Sequence, residues 1–352
     1  MNQKILTLIV AIFTIVAINA QNSDVTVTPT NDFQSALELY KLDKFAAAQA
    51  KFNLLKDFKD KSNAPFLNIS TQAYYYDAIC AYHLKNDDAK KKLQDFIKKN
   101  ANHALANYAH FYLGKYFFDH KKHKKTLEEL NQVSKHILTE NETREFHFML
   151  GYTNFFKKEF ATSKEHFVKI YKLESAYYYQ SNYYLGYMAY FDKQYDYALK
   201  HFLAVRQSKM YRNVVPYYIA QIYFIEKNYK QVIEYAEDII EDPNYKYYQE
   251  TVNILGQSYY QTRKFKQSIP YLIEYIEISD EVLTSDIYNL AYAYYYEEQF
   301  PEAIVEFSKL AEHADSLGQN ANYLLGDCFL KVFNKLGAHA AYYKASKLDF
   351  DV

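Results

Sequence analysis

Glycine and proline are scarce in this sequence, which contains only 7 Gly and 6 Pro in 352 residues. Both residue types mark the tight turns that join strands, so the chain has little material for building a sheet. Charged residues make up 24 % of the chain, a proportion that suits solvated helix faces. The composition therefore predicts an all-α protein.

An excess of charge is also absent, because the formal net charge is −1. Such a chain has no general attraction to nucleic acid or anionic lipid, and we predict no nucleic-acid partner. The charges are nevertheless segregated. Lys85 to Lys125 contains 11 Lys and 4 Asp, whereas Glu226 to Asp315 contains 18 acidic and 7 basic residues. These regions either dock oppositely charged partners or other copies, or are ordinary solvated faces and loops.

Catalytic motifs are missing as well. The sequence has no phosphate-binding Gly loop, nucleophile elbow or His-Glu-x-x-His motif. Asp119, His120 and His123 have a spacing that could bind a metal, but the lysines of the basic inter-helix loop at 121–125 would repel a cation. We predict no enzyme activity, no catalytic residue, no cofactor and no metal. A catalytic site assembled from distant residues stays open as an alternative.

A short pattern recurs along the chain at intervals of 34 to 37 residues. In each copy an aliphatic residue precedes a Gly or Ala, and an aromatic residue usually follows four positions later. The small residues are Gly114, Gly151, Gly186, Ala220, Gly256, Ala291 and Gly326, and weaker copies surround Ala36 and Ala78.

This pattern resembles the tetratricopeptide repeat (TPR) family, although the chain has no Trp. The resemblance implies a right-handed superhelical solenoid of about nine helix-turn-helix repeats, forming one domain. The repeats would begin near residues 31, 70, 106, 143, 178, 213, 249, 284 and 319.

The small residues have a physical role in such a repeat. Each would lie where the first helix meets the second most closely, so a larger side chain would hold the two helices apart. The residues twelve positions later would be their counterparts on the second helix, namely Ser163, Ala198, Ser268 and Ala303.

The two cysteines lie in first helices seven repeats apart. A stacked array separates Cys80 and Cys328 far beyond the roughly 7 Å between α-carbons that a disulfide allows. We predict that both pack as small hydrophobes.

The first twenty residues have a different pattern. Lys4 precedes an apolar run over residues 5–18, and Ala20 is the small residue that signal peptidase requires. This run would rise only about 21 Å as a helix, less than a hydrocarbon core of about 30 Å. We predict a cleaved signal peptide at 1–20, a polar lead-in at 21–30 and the repeat array at 31–348, with no transmembrane segment after cleavage. The protein would be exported, soluble, and periplasmic or associated with the cell envelope.

The resemblance to the TPR family also implies where a partner binds. In such arrays the first helices line a groove, with the residues three before, one after and five after the small residue facing it. These positions are largely aromatic in a chain that contains 40 Tyr. The partner-binding candidates are Phe148, Tyr152, Tyr183, Tyr187, Tyr217, Tyr288, Tyr292, Tyr296 and Tyr323.

Tyrosine suits a binding surface because its flat apolar ring carries a polar hydroxyl. We expect Tyr183, Tyr187, Tyr288, Tyr292 and Tyr296 to be exposed. The alternative is that these tyrosines only pack between helices, since aromatic stripes at helical spacing also build cores.

The favoured function is a non-enzymatic scaffold that binds a peptide or protein segment in the Tyr-rich groove. A glycan- or peptidoglycan-binding envelope protein is the alternative, because aromatic faces also stack on sugar rings. The Tyr-rich, Lys-rich composition resembles long exported repeat proteins of Bacteroidota cell envelopes. No polar capping helix follows residue 348, so self-association or further repeats through this end are also expected.

Overall fold

A computed structural model describes residues 29–56, 64–172 and 176–350 of the chain. These residues form eighteen α-helices and no strand, which confirms the predicted all-α class. In chain order the helices are α1 Pro29–Lys41, α2 Phe45–Lys56, α3 Ala64–His83, α4 Ala89–Lys99, α5 Ala104–Asp119, α6 His123–Leu130, α7 Glu140–Phe156, α8 Phe160–Phe167, α9 Tyr178–Phe191, α10 Tyr195–Val205, α11 Val215–Ile225, α12 Tyr229–Ala236, α13 Tyr248–Gln261, α14 Phe265–Ile278, α15 Thr284–Tyr296, α16 Phe300–Leu310, α17 Ser316–Lys331 and α18 Lys335–Ser346.

The helices form nine consecutive hairpins, as the predicted solenoid of helix-turn-helix repeats requires. Within a hairpin the two helices pack together, as α9 does with α10 and α17 with α18. First helices of neighbouring hairpins also touch, so α9 contacts α11 and α11 contacts α13. The chain divides into two compact units, 1–163 and 164–352, and this arrangement holds within each.

A small residue lies at the closest approach of the two helices in a hairpin. A Cβ atom added to Gly186 would lie 2.9 Å from Cδ1 of Phe202, sixteen residues later. The same contact joins Gly114, Gly256 and Gly326 to Leu130, Leu272 and Tyr342. The counterpart twelve residues later is also close, because the Ser163 hydroxyl donates a hydrogen bond to the Gly151 carbonyl at 2.8 Å. The predicted role of the small residues is confirmed.

Each hairpin turn contains one residue in the left-handed backbone region, and none of the nine is glycine. They are Asp43, Lys85, Lys121, Lys158, Lys193, Lys227, Arg263, Glu298 and Phe333, with φ between 54° and 64°. In these turns the backbone N–H that follows the left-handed residue donates a hydrogen bond to a carbonyl near the end of the first helix, as is typical of helices that end with a left-handed residue. In the fifth hairpin, for example, Gln194 N donates to Ala189 O at 2.8 Å.

The basic segment at 121–125 is not wholly a loop. Only Lys121 and Lys122 belong to the turn, and α6 begins at His123. The prediction of an inter-helix loop over the whole segment is therefore wrong. A left-handed residue reverses the chain within two positions, so no longer loop is needed.

Cys80 and Cys328 are both free thiols within the packed core, as predicted. Burial raises the pKa of each thiol to about 12. The predicted signal peptide, by contrast, lies outside the described residues. Among the helices that are described, none has both the length and the apolarity needed to cross a bilayer.

Candidate functional site

Three first helices carry an aromatic residue at all three of the predicted binding positions. These positions are four residues apart, so they lie on one helix face. We call each such set an aromatic ladder. The ladders are Phe148, Tyr152 and Phe156 in α7, Tyr183, Tyr187 and Phe191 in α9, and Tyr288, Tyr292 and Tyr296 in α15.

The ladders have nearly the same internal geometry. The ring centroids of the first and second members are 5.9, 6.1 and 5.9 Å apart in α7, α9 and α15. Those of the second and third members are 4.6, 4.6 and 4.8 Å apart. Both separations fall in the range at which aromatic pairs attract beyond simple burial. Each helix therefore presents a row of rings in mutual contact.

The innermost ring of a ladder is held by packing. Tyr183 stacks on Tyr211 with ring centroids 4.3 Å apart and planes within 11°. Tyr217, at the same position in α11, stacks on Tyr247 at 4.5 Å. Burial is the largest cause that raises the pKa of Tyr183 and Tyr217 to about 12. Both hydroxyls stay protonated at neutral pH and remain hydrogen-bond donors.

The outermost ring of each ladder is accessible. Phe156, Phe191 and Tyr296 are 51, 59 and 48 % exposed. The ring of Phe156 stacks on His123 with centroids 5.5 Å apart, and Tyr296 lies against Phe265 at 4.8 Å. His123 and Phe265 each begin the second helix of the preceding hairpin. Each of these two outer rings is thus fixed in place by one neighbour and still open to a ligand.

The first helix before α15 carries amides instead. In α13 the three positions are Asn253, Gln257 and Gln261. Gln257 Nε2 donates to Asp286 Oδ1 at 2.9 Å, and its Oε1 accepts from Asn289 at 2.7 Å. This network joins α13 to α15 and orients the amide of Gln257.

The remaining first helices of unit 164–352, α11 and α17, have mixed residues at these positions. In α11, Gln221 accepts a hydrogen bond from the Tyr190 hydroxyl, and Ile225 is exposed. In α17, Asp327 accepts from the Tyr295 hydroxyl at 2.7 Å, and Tyr323 is 57 % exposed.

The expected exposure of five tyrosines is correct only for Tyr296. The other four, Tyr183, Tyr187, Tyr288 and Tyr292, are half-buried. The reason is that inner members of a ladder pack on side chains from the following connection or a neighbouring helix. Sequence reasoning named Tyr183 and Tyr217 but missed their stacking partners, Tyr211 and Tyr247, which lie outside the repeated motif.

The three residues whose spacing could suit a metal have other partners. Asp119 accepts a hydrogen bond from the Tyr82 hydroxyl at 2.8 Å. The His120 Nδ1 atom lies 2.7 Å from the carbonyl of Tyr116. Within the described ranges no three His, Cys, Asp or Glu side chains form a group that could hold a metal ion.

No protein-family model matches the chain, and no curated protein matches it. Solved structures that are similar to it include MamA from AMB-1, at 17 % identity over 50 % of this chain and 93 % of that one, with a TM-score of 0.43. YrrB, described as a TPR protein with an unusual peptide-binding site, is 18 % identical over 53 % of this chain and 93 % of that one, with a TM-score of 0.44. The apo form of RapI is 16 % identical over 91 and 97 % of the two chains, with a TM-score of 0.42. With nine hairpins, a period of 34 to 37 residues and small residues at the close helix contacts, the chain is an all-α helical repeat protein built from helix-turn-helix units.

Proposed function

We propose that the protein is a non-enzymatic scaffold that binds a peptide or protein segment on the aromatic face of its first helices. The observation that supports this most directly is the ladder that recurs in α7, α9 and α15 and ends each time in a half-exposed ring. Aromatic rings held in a fixed orientation are typical anchors of protein interfaces, because they bury a large area at little cost in conformational entropy.

The chemistry of the face fits an uncharged segment. In unit 164–352 the three positions of α9, α11, α13 and α15 carry no charged residue. The protonated hydroxyls of Tyr183 and Tyr217 and the amides of α13 can hydrogen-bond to peptide groups. Export to the periplasm or cell envelope is part of the same proposal and rests on the predicted signal peptide.

The test replaces only the outer rings. The equivalent position in α13 is Gln261, so the fold accepts glutamine there. The test variant therefore carries Phe156→Gln, Phe191→Gln and Tyr296→Gln together. The matched control replaces three exposed apolar residues outside the first helices, as Leu54→Gln, Val168→Gln and Val305→Gln. Equal helicity by circular dichroism shows that both variants remain folded.

Peptides selected by the purified protein from a random phage-displayed library provide the ligands. We expect the triple outer-ring variant to bind them at least about tenfold more weakly, as the loss of interface anchors implies, and the control to bind as the parent does. Unchanged affinity in the outer-ring variant would contradict the proposed site. Binding to a glycan array with the same dependence on the outer rings would instead favour the glycan-binding alternative.

A further inference from the structure

The turn of the ninth hairpin is apolar, unlike the other eight. At the left-handed position the other turns carry Lys, Arg, Asp or Glu, whereas this one carries Phe333. Leu330 and Val332 precede it, and Leu336 follows at the start of α18. We call these four residues the apolar turn. All four are exposed, Phe333 to 90 % and Leu336 to 87 %.

Phe333 is unfavourable in this turn for two reasons. Its φ of 60° is in the left-handed region, which costs a residue with a Cβ atom roughly 1 to 2 kcal/mol. Its ring also lies in water, so no burial offsets that cost within the chain. Bulky residues held at positive φ are typical of sites under a functional constraint. A surface that covers Phe333 would remove the second penalty.

Charged side chains lie on both sides of the apolar turn. Lys331 and Lys335 flank Phe333, and both are exposed. The turn of the eighth hairpin contains Glu297 and Glu298. The two turns are adjacent, because the Tyr295 hydroxyl near the end of α15 donates to Asp327 near the end of α17 at 2.7 Å. Within the part of the chain that the structure describes, no ion pair involves these lysines or glutamates.

We infer that the apolar turn is a contact surface for a second copy of this chain. The surface carries charges of both signs beside an apolar centre, as a contact between two identical copies requires. A two-fold contact that pairs Lys331 and Lys335 of one copy with Glu297 and Glu298 of the other would give all of these charges a partner. The same operation would cover both Phe333 rings at the centre, where interface anchors are strongest.

The expected association is weak. Four apolar side chains and their flanking charges cover less than the about 800 Å² per partner of a standard interface. A dissociation constant on the order of 10 µM is therefore expected for the parent protein. Raising the salt concentration should weaken it, because the charge pairs lie at the rim of the contact.

Sedimentation equilibrium of the purified protein measures this association directly. Phe333→Gly removes the anchor while relieving the left-handed backbone, so the variant stays folded and we expect dimerisation to weaken at least about thirtyfold. Lys193→Gly makes the same backbone change in the fifth turn and should leave dimerisation unchanged. A parent protein that is monomeric at about 200 µM, well above the expected dissociation constant, would overturn the inference.

A charge exchange distinguishes a second copy from any other occupant. One variant carries Lys331→Glu and Lys335→Glu, and the other carries Glu297→Lys and Glu298→Lys, which recreates the Lys157 and Lys158 pair of the fourth turn. Each variant alone opposes like charges and should be monomeric. A one-to-one mixture opposes unlike charges on both sides of the axis and should dimerise. A mixture that stays monomeric, or single variants that dimerise as the parent does, would overturn the two-fold contact.

Discussion

Helices α9 and α13 have the same place in their hairpins but opposite surface chemistry. Both contain 14 residues, and both pack a glycine against the second helix, Gly186 against Phe202 and Gly256 against Leu272. The outward face of α9 is an aromatic ladder, whereas that of α13 consists of three amides.

The comparison shows which side of a repeat the fold constrains. Close packing between the helices permits only a small residue at the glycine position, because neighbouring atoms would meet any larger side chain. The outward face has two other sources of stability: ring stacking in α9 and the hydrogen bonds of Gln257 in α13. One backbone therefore supports two kinds of surface, and four experiments test how far the two hairpins are equivalent.

The largest effect should come from filling the close contact. Gly186→Leu places a side chain against the buried ring of Phe202, and we expect a loss of about 3 kcal/mol in stability. Gly186→Ala should cost more than Gly256→Ala, because an added Cβ lies 2.9 Å from two ring atoms of Phe202, whereas at Gly256 the nearest atoms, from Leu272 and Tyr271, are 3.1 to 3.3 Å away. Urea unfolding followed by circular dichroism measures both, and an equal or reversed order would refute this account of the contact.

Acid should destabilise the fifth hairpin more than the seventh. His201 in α10 is buried, its Nδ1 lies 2.7 Å from Asn182 Oδ1, and its Nε2 has no hydrogen-bond partner among the described residues. Burial first, and then Lys200 and Lys164, lower its pKa from 6.5 to about 4. The unfolded chain binds the proton more readily, so stability is full above pH 6.5 and falls as the pH drops from 6.5 towards 4.

The full shift corresponds to a loss of about 3 kcal/mol at pH 4. Solvent screening reduces this, and we expect a loss of about 2 kcal/mol. The equivalent residues of the seventh hairpin are Val252 and Tyr271, neither of which gains a proton in this range. In the variant His201→Gln the slope of stability against pH between 4 and 6.5 should become shallower. An unchanged slope would show that other groups cause the acid sensitivity.

The amide network of α13 should contribute less. Gln257→Leu removes a donor to buried Asp286 and an acceptor for Asn289, for which we expect a loss of about 1 kcal/mol. Gln261→Leu changes the exposed amide one turn later and should alter stability little. Thermal unfolding of the two variants side by side provides the test, and similar losses would mean that the hydrogen bonds of Gln257 contribute nothing specific.

The smallest effect should be a gain that the two hairpins share. Lys193 and Arg263 both have a φ of 58°. Replacing either with Gly removes the left-handed strain but increases the freedom of the unfolded chain, so we expect a net gain of about 0.5 kcal/mol in each. Lys193→Ala retains a Cβ atom and serves as the control. Destabilisation of both glycine variants would show that these side chains contribute more than the backbone strain costs.

The periodic part of the fold could be predicted because its physical cause recurs in the sequence. A small residue every 34 to 37 positions indicated the close helix contact, and the structure places Gly186 there. The exposure of Tyr183 could not be predicted in the same way. Its stacking partner, Tyr211, lies in the irregular connection before α11, where no period fixes the position of a side chain.

The sequence by itself determined the repeat: its period, its small residues and the aromatic character of the first helices follow from local spacing alone. The tertiary structure decided which rings are accessible, how Gln257 joins α13 to α15, and that Phe333 lies exposed in a strained turn. The reason is that accessibility and strain depend on neighbouring hairpins and on backbone dihedral angles, which residue spacing does not specify.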